Sequence, residues 1–299
     1  MERPKLHLTA ASARWPAALR GIESPPEQLW LRGAAEVLAR EPKVAIVGAR
    51  APTPYGEAQA RRFASALACA GVVVVSGMAR GVDQCAHDAA LDAGGATIGV
   101  LGCGVDRPWP AGPCAERLLR EGLLLSEFEP GAPPLRRNFP LRNRVISGLC
   151  AAVVVIEAAE ASGSLITARW AADQGRAVFA LPGRVDHPMA RGCHRLIREG
   201  ASLVQDPDDV LEELGLAAPR SRSGAARGTH TDPGGTSAEL ASASLLARRA
   251  FEALLGETLS ADEVAERLAA DVAEVLTELV ELELRGAVVR GAGGLYRRS

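Results

Sequence analysis

Residues 135–146, LRRNFPLRNRVI, crowd Arg136, Arg137, Arg142 and Arg144 around Phe139 and Asn143. Guanidinium forks match phosphate oxygens, and an aromatic ring gives a base a surface to stack on. A charge run alone describes any solvated loop, but the interleaved Phe139 and Asn143 and two preceding prolines set this one apart. Residues 72–83, VVVVSGMARGVD, supply a second place for an anion. Ser76, Gly77, Met78, Ala79, Arg80 and Gly81 make a small-residue turn that opens a helix over about 82–92. Backbone N–H groups at a helix start attract anions, and Arg80 adds a full charge. The same turn would also suit a plain strand-to-helix connection in which glycine only relieves strain. Gly48 and Arg50 in VGAR mark a third such place. In EAAEASGSLITA (157–168) Ser162, Gly163, Ser164 and Thr167 offer hydroxyl and N–H donors at a helix start. Capping by Ser162 or Ser164 is compatible with that role.

Other chemistries find less support. Gly102-Cys103-Gly104 is a partial dinucleotide fingerprint with Arg107 at the third glycine, and no G-x-x-x-x-G-K-[ST] loop occurs. His87, His187 and His194 lack metal-ligand spacing, although Asp83 and His87 could pair at i, i+4. The six cysteines contain no C-x-x-C pair and read as core residues of a reducing cytoplasm. No assembled nucleophile–base pair is visible, so no catalytic residue, metal or cofactor is expected.

Elements must hold these segments in place. KVAIVGAR (43–50), VVVVSG, ATIGVLGCG (96–104), EGLLLSE (121–127), AAVVVIEA (151–158), RAVFALPG (176–183) and ASLV (201–204) are continuous apolar strands. Helical patterns lie at about 56–70, 163–174 and 190–199, with Gly71 ending the first. Alternation of this kind predicts an α/β fold, a doubly wound, mostly parallel Rossmann-like sheet that binds ligands outside the strands' carboxyl ends. The expected organisation is a short N-terminal extension (1–42), this domain (43–215), a Gly/Ser/Arg-rich flexible linker (216–240) and a small unit (241–299). Helices at about 244–255, 260–269 and 271–284 and a hairpin around Gly291–Gly294 read as a winged helix, with a capping box at Ser260 and Glu263. Duplex binding through its third helix is the ordinary use of such a module. DVAEVLTELVELE is acidic there and would repel phosphates, which favours a protein-interaction or regulatory role.

At 299 residues, 47% hydrophobic and net charge −2, the chain can build a large core and is not globally basic. It has no apolar run near the roughly 20 residues that span a bilayer, and no signal-type apolar segment at the N-terminus.

With VGAR, SGMARGVD, GCGVDRPWP, FPLRNRVISGL, EAAEASGSLITA, FALPG and GCHRLIREGA in order over about residues 15–214, the chain resembles the DNA-processing protein A family (DprA, also called Smf). The resemblance implies an extended Rossmann-like domain that binds single-stranded DNA and forms a homodimer. It also implies help in loading RecA recombinase during natural transformation, alongside single-strand-binding protein. The family's basic pocket maps onto Arg50 and Arg80, with Arg137, Arg142 and Arg144 near FPLRNR joining it. An N-terminal sterile-alpha-motif domain, common in the family, does not fit in the about 42 residues before the core. A different expectation, an enzyme acting on a nucleotide, follows from likeness to Rossmann-like phosphoribohydrolases. Their P-G-G-x-G-T-x-x-E string is absent, and Glu157 and Glu160 are the carboxylates on offer.

Overall fold

The computed structural model describes residues 5–216, 244–254, 257–291 and 294–298. Two compact units result, Met1–Pro219 and Arg220–Ser299. Most of the linker expected at 216–240 lies outside the described residues.

The first unit is built on a nine-stranded sheet. Its strands are β1 (Leu6–Thr9), β2 (Gln28–Gly33), β3 (Lys43–Val47), β4 (Val73–Ser76), β5 (Thr97–Val100), β6 (Leu123–Ser126), β7 (Ala152–Val155), β8 (Ala177–Ala180) and β9 (Ser202–Leu203). Their order across the sheet is β1-β2-β6-β5-β4-β3-β7-β8-β9. The seven strands from β3 onward run parallel, while β1 and β2 add an antiparallel edge. Both faces are covered, which is why the strands read as unbroken apolar runs. Along β3, Val44 and Ile46 enter one apolar cluster and Ala45 and Val47 the other.

The parallel strands are joined by α1 (Pro54–Cys69), α2 (Val82–Asp92), α3 (Pro113–Glu121), α4 (Asn138–Leu149), α5 (Ser164–Asp173) and α6 (Arg191–Arg198), and α7 (Pro207–Glu213) follows β9. Helix α1 shows how locally these are specified. Thr53 caps it by accepting from Gly56 N at 3.1 Å, Pro54 opens it, and Gly71 at φ +82° follows its last turn.

In the expected N-terminal extension the described residues 5–42 pack on the following domain: β2 pairs with β6, and Leu8, Leu19, Leu29 and Leu31 join the main core. The LRRNFPLRNRVI stretch is largely helix α4.

The second unit contains α8 (Leu245–Ala253), β10 (Leu259–Ser260), α9 (Ala261–Leu268), α10 (Val272–Leu284), β11 (Val288–Arg290) and β12 (Leu295–Arg298). Its strands form a β10-β12-β11 sheet, giving the winged-helix layout. The Ser260–Glu263 capping box is formed: Glu263 N donates to Ser260 Oγ at 3.2 Å, and Ser260 N to Glu263 Oε2 at 2.7 Å. Among the described residues no helix is long and apolar enough to cross a membrane.

Candidate functional site

The chain runs from β3 through β4 and β5 to β6 on one side, then returns to place β7 on the other side of β3. The connections leaving the carboxyl ends of β3 and β7 therefore part in opposite directions, and a cleft of ≈ 930 Å³ opens there. Val47–Ala51 at the end of β3, and Ala159, Ala161–Ser164, Ile166 and Thr167 after β7, make two of its walls. Ala79 and Asp83 follow β4, Trp109 follows β5, and Arg136, Phe139, Arg142, Asn143 and Ile146 come from α4 and the turn before it. Positions 139, 142, 143 and 146 are i, i+3, i+4 and i+7, one face of a helix.

That helical spacing decides the fate of the arginine cluster. Arg142 faces the cleft but is only 5% exposed. It donates to the carbonyls of Gly77 (2.8 Å) and Val100 and, through Nε, to Asn143 Oδ1 at 3.2 Å. Burial lowers its pKa to about 10, with Asp83 opposing. Arg142 therefore braces the floor beneath the SGM turn.

Arg144 lies two residues on, some 200° around the helix, and is likewise buried. Its fork makes two bonds to Glu127 of 2.6 and 2.7 Å, and Nε donates to Ser24 O. Its expected role as a free phosphate ligand is corrected: the charge is committed to an internal carboxylate. Arg137 is exposed but does not line the cleft, whereas its neighbour Arg136 is exposed and does.

Besides Arg137, the cations left available at or beside the cleft are Arg50, Arg80 and Arg136. All three are exposed, and their side chains bond to no described residue. Arg50 and Arg136 line the cleft, and Arg80 follows its wall residue Ala79.

The glycine-rich turn also works differently from expectation. Ser76 is fully buried and donates to Ile46 O at 2.6 Å, so its hydroxyl is not offered to a ligand. At Gly77 an added Cβ would lie 2.7 Å from Arg142 Nη2 and 2.9 Å from Asp83 Oδ2. Gly81 sits at φ +84°, and a Cβ there would strike Ala49 O. Both glycines permit close packing within the protein, and Ser76, Gly77 and Gly81 lie outside the cleft lining. Asp83 Oδ2 takes the N–H groups of Gly77 (3.1 Å) and Ala79 (3.2 Å), and burial raises its pKa to about 6.

Asp83 and His87 do not pair. The Thr97 hydroxyl donates to Val74 O, so His87 Nδ1 must donate to Thr97 Oγ1 at 2.6 Å. His87 is fully buried, its Nε2 has no partner among the described residues, and burial first and then Arg142 lower its pKa to about 3.

Gly48, Phe139, Asn143, Ser162, Gly163, Ser164 and Thr167 do line the cleft, with Arg50 and Arg142. Asn143 Nδ2 donates to Gly163 O at 3.3 Å, tying α4 to the start of α5. The hydroxyls of Ser162 and Ser164 share a 2.7 Å hydrogen bond. Helix α5 has Gly163 at its N-cap and no side-chain cap, so the expected serine cap reduces to a long 3.4 Å bond from Ser164 N to Ser162 Oγ. The carboxylates considered for nucleotide chemistry are elsewhere: Glu157 is buried and accepts from Thr53 N (2.8 Å) and Thr53 Oγ1 (2.6 Å), while Glu160 is exposed outside the lining. Sequence reasoning misses Trp109, because nothing in RPWP alone says that it turns toward strand ends. Among the described residues no cluster of three or more metal-binding side chains occurs.

The model of DNA recombination-mediator protein A matches residues 6–215, and a DprA winged helix domain model matches 235–294. The chain belongs to the DNA recombination-mediator protein A family. It is similar to Protein Smf of Escherichia coli, 41% identical with 99% of this chain and 79% of the relative covered. DNA processing protein DprA of Streptococcus pneumoniae is 43% identical, covering 67% of this chain and 71% of the relative. An X-ray structure of the Streptococcus pneumoniae DprA superposes with a TM-score of 0.66 at 41% identity, covering 70% of this chain and 74% of that one. The Helicobacter pylori DNA processing protein A, whose structure concerns its unique single-stranded DNA binding mode, gives 0.64 at 31% identity, covering 72% and 98%. The family match starts at residue 6, as the sheet does at Leu6.

Proposed function

We propose that this family member binds single-stranded DNA in the cleft at the ends of β3, β4, β5 and β7. The observation that carries the reading is the set of exposed arginines, Arg50, Arg80 and Arg136, whose charges are not committed to the fold. The Ser162–Ser164 turn and Thr167 line the same cleft as Arg50 and Arg136 and supply further donors to phosphate oxygens. Nothing in the lining reads base edges as a complementary set, so charge and stacking give little sequence preference. The protein acts as a binder without catalysing a reaction. Asp83 is the sole acidic residue in the lining, and its Oδ2 is taken by two backbone amides.

Family membership supports the wider role: protection of incoming strands in transformation and loading of RecA recombinase in the cytoplasm, with single-strand-binding protein as a further partner and a homodimer as the working form. In the winged-helix unit, residues 261–284 carry eight acidic residues (Asp262, Glu263, Glu266, Asp271, Glu274, Glu278, Glu281 and Glu283) and one arginine, Arg267. That composition supports contact with protein in preference to duplex DNA. The test is a titration of fluorescent oligo-dT at two salt concentrations. Binding that weakens with salt, with a log–log slope of roughly −0.7 per neutralised phosphate, is expected. No binding by the intact chain at low salt removes the proposal.

A further inference from the structure

Resting on that reading, we propose that Trp109, not Phe139, is the surface on which a DNA base stacks. Phe139 and Trp109 are the two aromatic residues in the cleft lining. Phe139 is half-buried, and its ring lies over Gly102, where an added Cβ would come within 3.0 Å of the ring. The Arg142 guanidinium stands 5.9 Å from the ring centroid. Its ring is thus engaged by the protein, and Phe139 helps to hold α4 against the loop after β5.

Trp109 is in the opposite condition. It is 52% exposed, and its indole forms no aromatic or cation–π contact among the described residues. The loop that presents it is anchored. Gly104 N donates to Ala132 O at 3.0 Å, Arg107 N to Gly104 O at 3.0 Å, and Gly131 N to Asp106 Oδ1 at 2.8 Å. An indole held out by a braced loop loses little conformational freedom when a base covers it. Its π-face accepts any base, in keeping with binding that does not depend on sequence.

The experiment uses the full chain, oligo-dT, and an abasic oligomer of the same length that keeps the phosphates and lacks the bases. In the wild type, oligo-dT quenches tryptophan fluorescence and the abasic oligomer does not; in Trp109→Phe the dT-induced quench disappears while affinity stays within a few-fold. Trp109→Ala weakens dT binding about 5- to 150-fold, the span of one base–aromatic stack, and leaves abasic binding unchanged. Phe139→Leu, which keeps an apolar filler over Gly102, costs dT affinity much less. The inference is overturned if Trp109→Ala binds dT like wild type while Arg50→Ala loses it, an outcome that leaves the proposed function standing. Equal losses on dT and abasic DNA also overturn it, by showing that the residue acts through the fold. Failure of the wild type to bind dT removes both readings together.

Discussion

The strand-end cleft and helix α10 of the winged-helix unit are both places where fold alone would put nucleic acid. They differ in how their charges are used. Around the cleft Arg50, Arg80 and Arg136 are exposed and unpaired among the described residues, against one buried carboxylate, Asp83. On α10 Glu274 and Glu281 are exposed, and the apolar Val272, Leu276, Val280 and Leu284 are exposed beside them. Net charge, −2 for the whole chain, reports neither arrangement. What governs attraction for a phosphate backbone is local charge that the fold has left uncommitted. Within the cleft region the same distinction separates Arg50 from Arg144.

The comparison breaks most severely if Arg144 proves dispensable for folding. Arg144→Met would leave the partly buried Glu127 without its partner and should cost up to about 3 kcal/mol of stability in denaturant unfolding. At a temperature where the variant is folded, its affinity for oligo-dT should stay within about 2-fold of wild type. Loss of affinity without loss of stability would return Arg144 to the DNA ligands.

The converse is expected for the free arginines. Arg50→Ala with Arg80→Ala should lower dT affinity on the order of 100-fold, since charge-assisted hydrogen bonds contribute about 1.5–3 kcal/mol each. The salt slope should flatten by roughly 0.7 for each phosphate no longer neutralised, with unfolding little changed. A double variant that melts early and binds normally would invert the assignment.

Asp83 sharpens the picture through pH. Its carboxyl titrates near 6 in the folded protein and near 4 unfolded. Between pH 4 and 6 the native state holds the extra proton, so this stabilising contribution is complete below 4 and lost as pH rises through 6. His87, lowered to about 3, has the opposite sign: its contribution grows as pH rises from 3 toward 6.5. The two oppose one another between pH 4 and 6. Asp83→Asn should uncover the His87 trend, its stability relative to wild type rising by about 1.4 kcal/mol per pH unit there. Parallel curves for the two proteins would show that Asp83 is not held near 6.

The smallest effect is expected on the winged-helix side. Glu274→Lys with Glu281→Lys should give a gain in duplex DNA binding of only a few-fold at low salt, as exposed charges are weakly coupled in water. Strong duplex binding by the unmodified chain would abolish the contrast.

Much of this molecule was legible in residue order. Continuous apolar runs such as VVVV at 72–75 can be satisfied only by burial on both faces, which dictated a parallel sheet with helices on either side. Gly71, Ser260 and Glu263 marked helix ends because their stereochemistry and hydrogen bonding act within a few residues. That a ligand would sit at the carboxyl ends of the strands followed from the strand–helix alternation, whereas the strand order that opens the cleft beside β3 and β7 came from the tertiary structure. The tertiary structure alone decided which arginines are free. Arg142, Arg144 and Arg50 are identical in sequence terms. Only folding α4 turns one toward the carbonyls of Gly77 and Val100 and another toward Glu127, 17 residues away, while the β3 turn leaves the third in water. The same holds for Phe139 and Trp109, equivalent as aromatics until one ring is covered by Gly102 and the other is left open. Hydrogen-bond partners and burial are set by contacts distant in the chain, and no local pattern of residue types encodes them.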